Sequence, residues 1–201
     1  MKENFYITGY FYEINEQKFR KYLNIKYKNS TVTEPDLMVI MMNPGSSQPV
    51  DGVTTDKETE VISDNTQAQI MAVMEQCGFK YARVLNLSDV CQPKSKQFYK
   101  TLEILEKDVI SHSIFYDSRN NDFKKFFKYN VPVIYAWGVS RHLKVLAQLC
   151  VEKTNVKNPL GVKKDNYHLA YWHPMQRFKS NREKWVGDIV QQVKTLTLLF
   201  P

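Results

Sequence analysis

The chain has 201 residues, 43% of them hydrophobic and 13% aromatic, and 28 Lys and Arg against 21 Asp and Glu give a net charge of +7. That composition excludes an intrinsically disordered chain, fits one globular domain over 1–201, and favours a polyanionic partner without requiring one. No run approaches the roughly 18 apolar residues of a membrane span, and the start MKENFYITGY lacks the apolar core of a leader peptide, so the expected location is the cytoplasm.

Aromatic and polar residues alternate from 4 to 28, which predicts a hairpin or a pair of edge strands, an N-terminal element over 1–30 ahead of a core over 37–200. Residues 37–42 are uniformly apolar, as in a strand covered on both faces. They run into Asn43-Pro44-Gly45-Ser46. From Gly45 to Ser63 there is no periodicity, and such a stretch inside a domain is usually functional or mobile. Ser63-Asp64-Asn65-Thr66 offers helix caps, and Ile70, Met71, Met74 and Cys77 make a helical stripe ending at Gly78.

Residues 81–87 read as a second strand, with Asn86 near its end. Helices are expected over 97–115, with Phe98, Leu102, Leu105 and Val109 on one face, and over 122–129. A third strand over 131–137 closes at Gly138 and leads into a helix through Leu143, Leu146, Leu149 and Cys150. A fourth strand over 167–172 runs into His173-Pro174, and a last helix from about Arg182 carries Trp185, Ile189 and Val193.

Strand, loop and helix thus repeat four times, the pattern of right-handed βαβ units around a parallel sheet. The expected fold is a three-layer α/β/α sandwich on a four-stranded, mainly parallel sheet, plus the N-terminal hairpin. Ligands bind such sheets at the carboxyl ends of the strands, where Asn43, Asn86 and His173 fall. Cys77, Cys91 and Cys150 form no CxxC pair and read as reduced thiols. The four histidines have no metal-ligand spacing with them, so neither a metal nor a cofactor is expected.

Four segments in order resemble the uracil-DNA glycosylase superfamily. Met42-Asn43-Pro44-Gly45 is similar to the loop of its mismatch-specific branch, and Val84-Leu85-Asn86-Leu87 to the strand whose Asn reads the base. Ile134–Gly138 resembles its strand ending in Trp-Gly, and Trp172-His173-Pro174-Met175 its His-Pro loop. A second resemblance is to a mainly bacterial family without an assigned activity. This closer family has Asn-Pro-Ser/Thr (here Asn43-Pro44, followed by Gly45), Asp-x-Thr (here Asp64-Asn65-Thr66), Asn-Leu, Ala-Trp-Gly and His-Pro in this order.

The first resemblance implies DNA as partner and cleavage of the N-glycosidic bond of a modified or mismatched base. Asn43 would position the attacking water and His173 would donate to the base oxygen. Asn86 would pair with the base edge, beside Pro44, Gly45 and Ser46. An Asn cannot supply a carboxylate, and Asp51, Asp56 and Asp64 are the loop acids that could; Asp64 also suits a helix cap. Arg177, Phe178, Lys179 and Arg182 follow the His-Pro loop as a basic and aromatic surface for phosphates and for wedging a duplex. Structural roles stand beside these: a turn for Asn43, strand-end bonding for Asn86, a loop histidine in His173, a core Trp137. Two other functions stay open, a silent nucleic-acid-binding module and an enzyme on free nucleotides with the 45–63 loop as lid.

Overall fold

The computed structural model describes residues 2–54 and 56–199; Met1, Thr55, Phe200 and Pro201, which the expected single-domain span includes, lie outside the described residues. The expected four-stranded, mainly parallel sheet is overturned. Among the described residues six strands form one mixed sheet in the order β4-β1-β2-β5-β3-β6. They are β1 (Phe5–Ile14), β2 (Gln17–Tyr27), β3 (Leu37–Met41), β4 (Lys57–Glu60), β5 (Tyr81–Asn86) and β6 (Val133–Tyr135). Only β5, β3 and β6 run parallel; β1, β2, β4 and the β2–β5 seam are antiparallel.

The N-terminal hairpin exists, but it is built into the sheet rather than appended to it. Its two-residue turn, Asn15–Glu16, has φ of 49° and 64°, the primed geometry that matches the twist of paired strands. β2 then joins β5 through Leu23 opposite Val84. β4 escapes sequence reading because Lys57-Glu58-Thr59-Glu60 is a polar edge strand with no apolar face. The Glu58 carboxylate holds it down, accepting from Thr8, from Tyr22 Oη at 2.9 Å and from Asn24 Nδ2 at 2.8 Å.

The expected fourth strand over 167–172 is absent. The open edge of β6 is taken by Leu160, whose N–H donates to Val133 and whose carbonyl accepts from Tyr135. Leu169 adopts φ 60°, so the chain bends there. Tyr171 makes only single bridges, to Gly138 and Lys163.

Among the described residues five α-helices cover the sheet: α1 (Asn65–Cys77), α2 (Ser95–Lys107), α3 (Asn120–Phe126), α4 (Lys144–Thr154) and α5 (Lys179–Leu199). Alternation along β3 sorts the core. Leu37, Val39 and Met41 pack with Ile70, Met74, Trp185 and Ile189 of α1 and α5. Met38 and Ile40 pack with Phe98, Leu102, Phe123 and Leu146 of α2, α3 and α4. α2 stops at Lys107 instead of continuing to 115, because Val109 takes φ 57° and is 88% exposed. α5 starts at Lys179, earlier than expected. Among the described residues no helix is long and apolar enough to cross a membrane, and Cys77, Cys91 and Cys150 are free.

Candidate active site

β3 ends at Met41, and the chain turns through Pro44 and Gly45, whose φ of 64° favours glycine; the Ser47 N–H closes the turn on the Pro44 carbonyl at 3.2 Å. The stretch after β5 is fastened alongside by Leu87 N–H to Met41 and Ser88 N–H to Met42. Asn43 completes the clasp: its Nδ2 donates to the carbonyls of Val90 at 3.1 Å and Gln92 at 2.7 Å. Both donors are therefore committed, and Oδ1 is left as the open acceptor.

α1 begins beside this turn with a capping box. Asp64 Oδ1 accepts from Gln67 N–H at 2.8 Å, and Gln67 Oε1 accepts from Asp64 N–H at 3.1 Å. Oδ2 of Asp64 takes no hydrogen bond from a described residue. The His173 loop approaches from the other side. Its Nδ1 accepts from Met175 N–H at 3.1 Å, which places the proton of the neutral ring on Nε2. Burial lowers the His173 pKa, with Asp64 pulling the other way, so the neutral form is favoured.

These three elements enclose one cleft of about 250 Å³. Asn43, Pro44, Gly45, Ser46, Asp64 and His173 all line it, together with Thr66, Gln67 and Arg20. Leu23, Met41, Ile70 and Val84 supply apolar wall. The remaining sequence candidates lie elsewhere. Asn86 is fully buried, does not line the cleft, and has neither amide atom hydrogen-bonded to a described residue. Asp51 and Asp56 are exposed on the 48–56 loop, where Asp51 Oδ1 accepts from Val53 N–H. Arg177, Phe178 and Lys179 are exposed beyond His173, with the Arg177 guanidinium over the Phe178 ring at 5.5 Å. Arg182 is half-buried and donates to the Gln176 carbonyl. Trp137 is core, its Nε1 donating to Leu169 at 2.7 Å.

Arg20 is the charged cleft residue that sequence reading missed. Strict alternation from Leu23 would put Lys21 on the α1 side and Arg20 on the other. The β1–β2 register slips between Tyr10 and Phe11, pairing Tyr10 with Tyr22 and Phe11 with Arg20, so Lys21 is bulged out. The bulge turns Arg20 onto the face of Phe11 and Leu23. A bulge leaves no mark in the alternation of so aromatic a strand. Thr66 was legible as a helix-cap candidate but not as a cleft residue, and Gln67 was not singled out.

Among the described residues no cluster of three His, Cys, Asp or Glu side chains could hold a metal ion. Fold and cleft together define a mixed α/β domain with a polar site at the carboxyl end of β3, the middle one of its three parallel strands. Residues 26–175 match the family model described as Protein of unknown function (DUF1643), and the chain belongs to that family. No curated protein and no solved structure gives a significant match.

Proposed function

We propose that the cleft hydrolyses N-glycosidic bonds, acting as a DNA glycosylase-like enzyme on a modified or mismatched base in the cytoplasm. The observation that carries this reading is the convergence of Asn43, Asp64 and His173 on one cleft with apolar wall. Water held on Asn43 Oδ1 adds to the anomeric carbon as the C–N bond breaks, its electron pair leaving with the base. Asp64 takes the proton of the water through its uncommitted oxygen. His173 Nε2–H donates to the base oxygen where negative charge collects. Leu23, Met41, Ile70 and Val84 offer apolar contact to the faces of a base.

A cleft this size holds a base-sized group and excludes duplex DNA, so the base must leave the stack. Phe178, 61% exposed beside Arg177, is the residue proposed to fill the gap. The +7 charge supports a polyanionic partner. Asn86, sealed off from the cleft, has no part in this mechanism. Incubation with a panel of modified-base duplexes, followed by alkaline cleavage, tests the reading. Strand breaks at the modified base are expected, with loss in Asn43→Ala and His173→Ala; unchanged cleavage in both variants would remove these residues from the chemistry.

A further inference from the structure

Arg20 is 4% exposed and lines the cleft, and its side chain makes no hydrogen bond or ion pair with a described residue. A guanidinium N–H removed from water without a partner is disfavoured, and the Nε of Arg20 is such a group. The other semi-buried arginines differ in that each donates side-chain hydrogen bonds, although Nη2 of Arg119 is also buried without a partner. Arg119 donates to Asp89, Asp122 and the Ser111 carbonyl, and Arg83 donates to Asn24, Tyr81 and the Phe126 carbonyl.

Nearby carboxylates do not neutralise Arg20 by direct contact. Asp89, whose carbonyl accepts from the Arg20 N–H at 2.8 Å, uses its carboxylate for Arg119 at 2.9 Å and Tyr12 at 3.0 Å. Asp64 caps α1 and forms no ion pair with Arg20. Burial accordingly lowers the Arg20 pKa, while Cys91, Asp64 and Asp89 act only through space to raise it.

One anion already lines the cleft, the Asp64 carboxylate, but its Oδ1 is spent on the Gln67 N–H. The N-terminal turn of the 13-residue α1 contributes Thr66 and Gln67 to the same cleft, and a helix N-terminus attracts negative charge. The bulge at Lys21 is the structural device that brings the cation there, and bulges of this kind re-aim side chains beside functional sites.

We propose that Arg20 anchors an oxyanion subsite in the cleft and that the ligand presents a phosphate to its guanidinium. The subsite goes beyond the glycosidic reading and does not need it. The phosphate has two possible sources, the terminal monoester of a free nucleotide or the backbone diester of an extruded one. Arginine matches either through its planar fork, which gives paired hydrogen bonds to phosphate oxygens.

Titration calorimetry with a nucleoside 5′-monophosphate, the parent nucleoside, a single-stranded oligonucleotide lacking terminal phosphates, inorganic phosphate and acetate tests the proposal at matched chloride ionic strength. A phosphate-bearing probe should bind more tightly than the nucleoside or acetate. Arg20→Gln and Arg20→Met, checked for folding by circular dichroism, should weaken it by about 10- to 100-fold. Binding of the monophosphate alone assigns a free nucleotide; binding of the oligonucleotide, lost in the same variants, assigns a backbone phosphate. In the wild-type protein, phosphate should also shift the Arg20 Nε–H resonance, a readout that requires no variant. The inference is overturned if folded variants bind the phosphate probes as wild type does. It is equally overturned if no phosphate probe moves the Nε–H resonance, or if acetate matches phosphate. Base release is read by its own assay, so either result leaves the glycosidic reading separately testable.

Discussion

The Asn43 side chain is tied to the Gln92 carbonyl by a 2.7 Å hydrogen bond from Nδ2, with Val90 as second acceptor at 3.1 Å. The amide thus has a structural role that a carboxylate, lacking N–H donors, could not fill. Asn43→Asp would point acceptor oxygens at two carbonyls and release the 90–92 segment from the turn after β3. We expect a loss of about 2–3 kcal/mol in unfolding free energy, read from urea midpoints. A variant as stable as wild type would show that the clasp contributes nothing.

Asp64 allows capping to be separated from charge. An asparagine side chain keeps an oxygen for the Gln67 N–H, so Asp64→Asn should alter stability by no more than about 0.5 kcal/mol. Base release should nevertheless fall at least about tenfold, because the amide accepts no proton from water. Asp64→Ala should lose the same activity and about 1 kcal/mol of stability besides. Equal activity in Asp64→Asn and wild type would leave Asp64 as a cap alone.

Acid should destabilise the protein through His112. Its ring is enclosed between Ser88 Oγ at 3.0 Å and Tyr116 Oη at 3.1 Å, and burial, aided by the Arg119 charge, lowers its pKa to about 4. In the unfolded chain the ring takes up its proton near pH 6.5. Between those values the unfolded state binds more protons, so stability falls as pH drops from about 6.5 towards 4. Over the whole window the effect is on the order of 3 kcal/mol. Asp89 acts in the opposite direction, since burial raises its carboxyl to about 6 despite Arg119 and Tyr12. The comparison is therefore between wild type and His112→Gln: the gap in their melting temperatures should narrow as pH falls through this window. A constant gap would contradict a neutral His112.

Gly161 fixes the segment that replaces the expected fourth strand. Its N–H and carbonyl are clamped by the Gln192 amide at 2.9 and 3.2 Å. A Cβ there would lie 2.5 Å from the Tyr171 ring and 2.7 Å from the Tyr135 carbonyl, at φ 153°. Gly161→Ala should cost about 2–4 kcal/mol, read by thermal unfolding; a loss below about 0.5 kcal/mol would mean that the segment relaxes freely.

Legibility followed physical signal strength. β3, β5 and the capped α1 were readable because Leu37–Met41 is apolar throughout and Asp64, Gln67 and Gly78 carry the cap chemistry in their own side chains or backbone. The parallel count failed where pairing is non-local. Nothing between residues 17 and 27 announces that β2 pairs with β5, and a three-residue β6 relies on neighbours rather than on its own pattern. The cleft was half legible for the same reason. Asn43, Asp64 and His173 belong to local motifs, whereas Arg20 arrives through a register slip.

The most direct test is base release in water enriched in oxygen-18, followed by mass spectrometry of the free base and of the sugar. Hydrolysis in the cleft predicts free base without label, one labelled oxygen at the anomeric position, and loss of both products in Asp64→Asn and His173→Gln. Absence of base release from every modified-base duplex and nucleotide offered, or undiminished release by both variants, would contradict it.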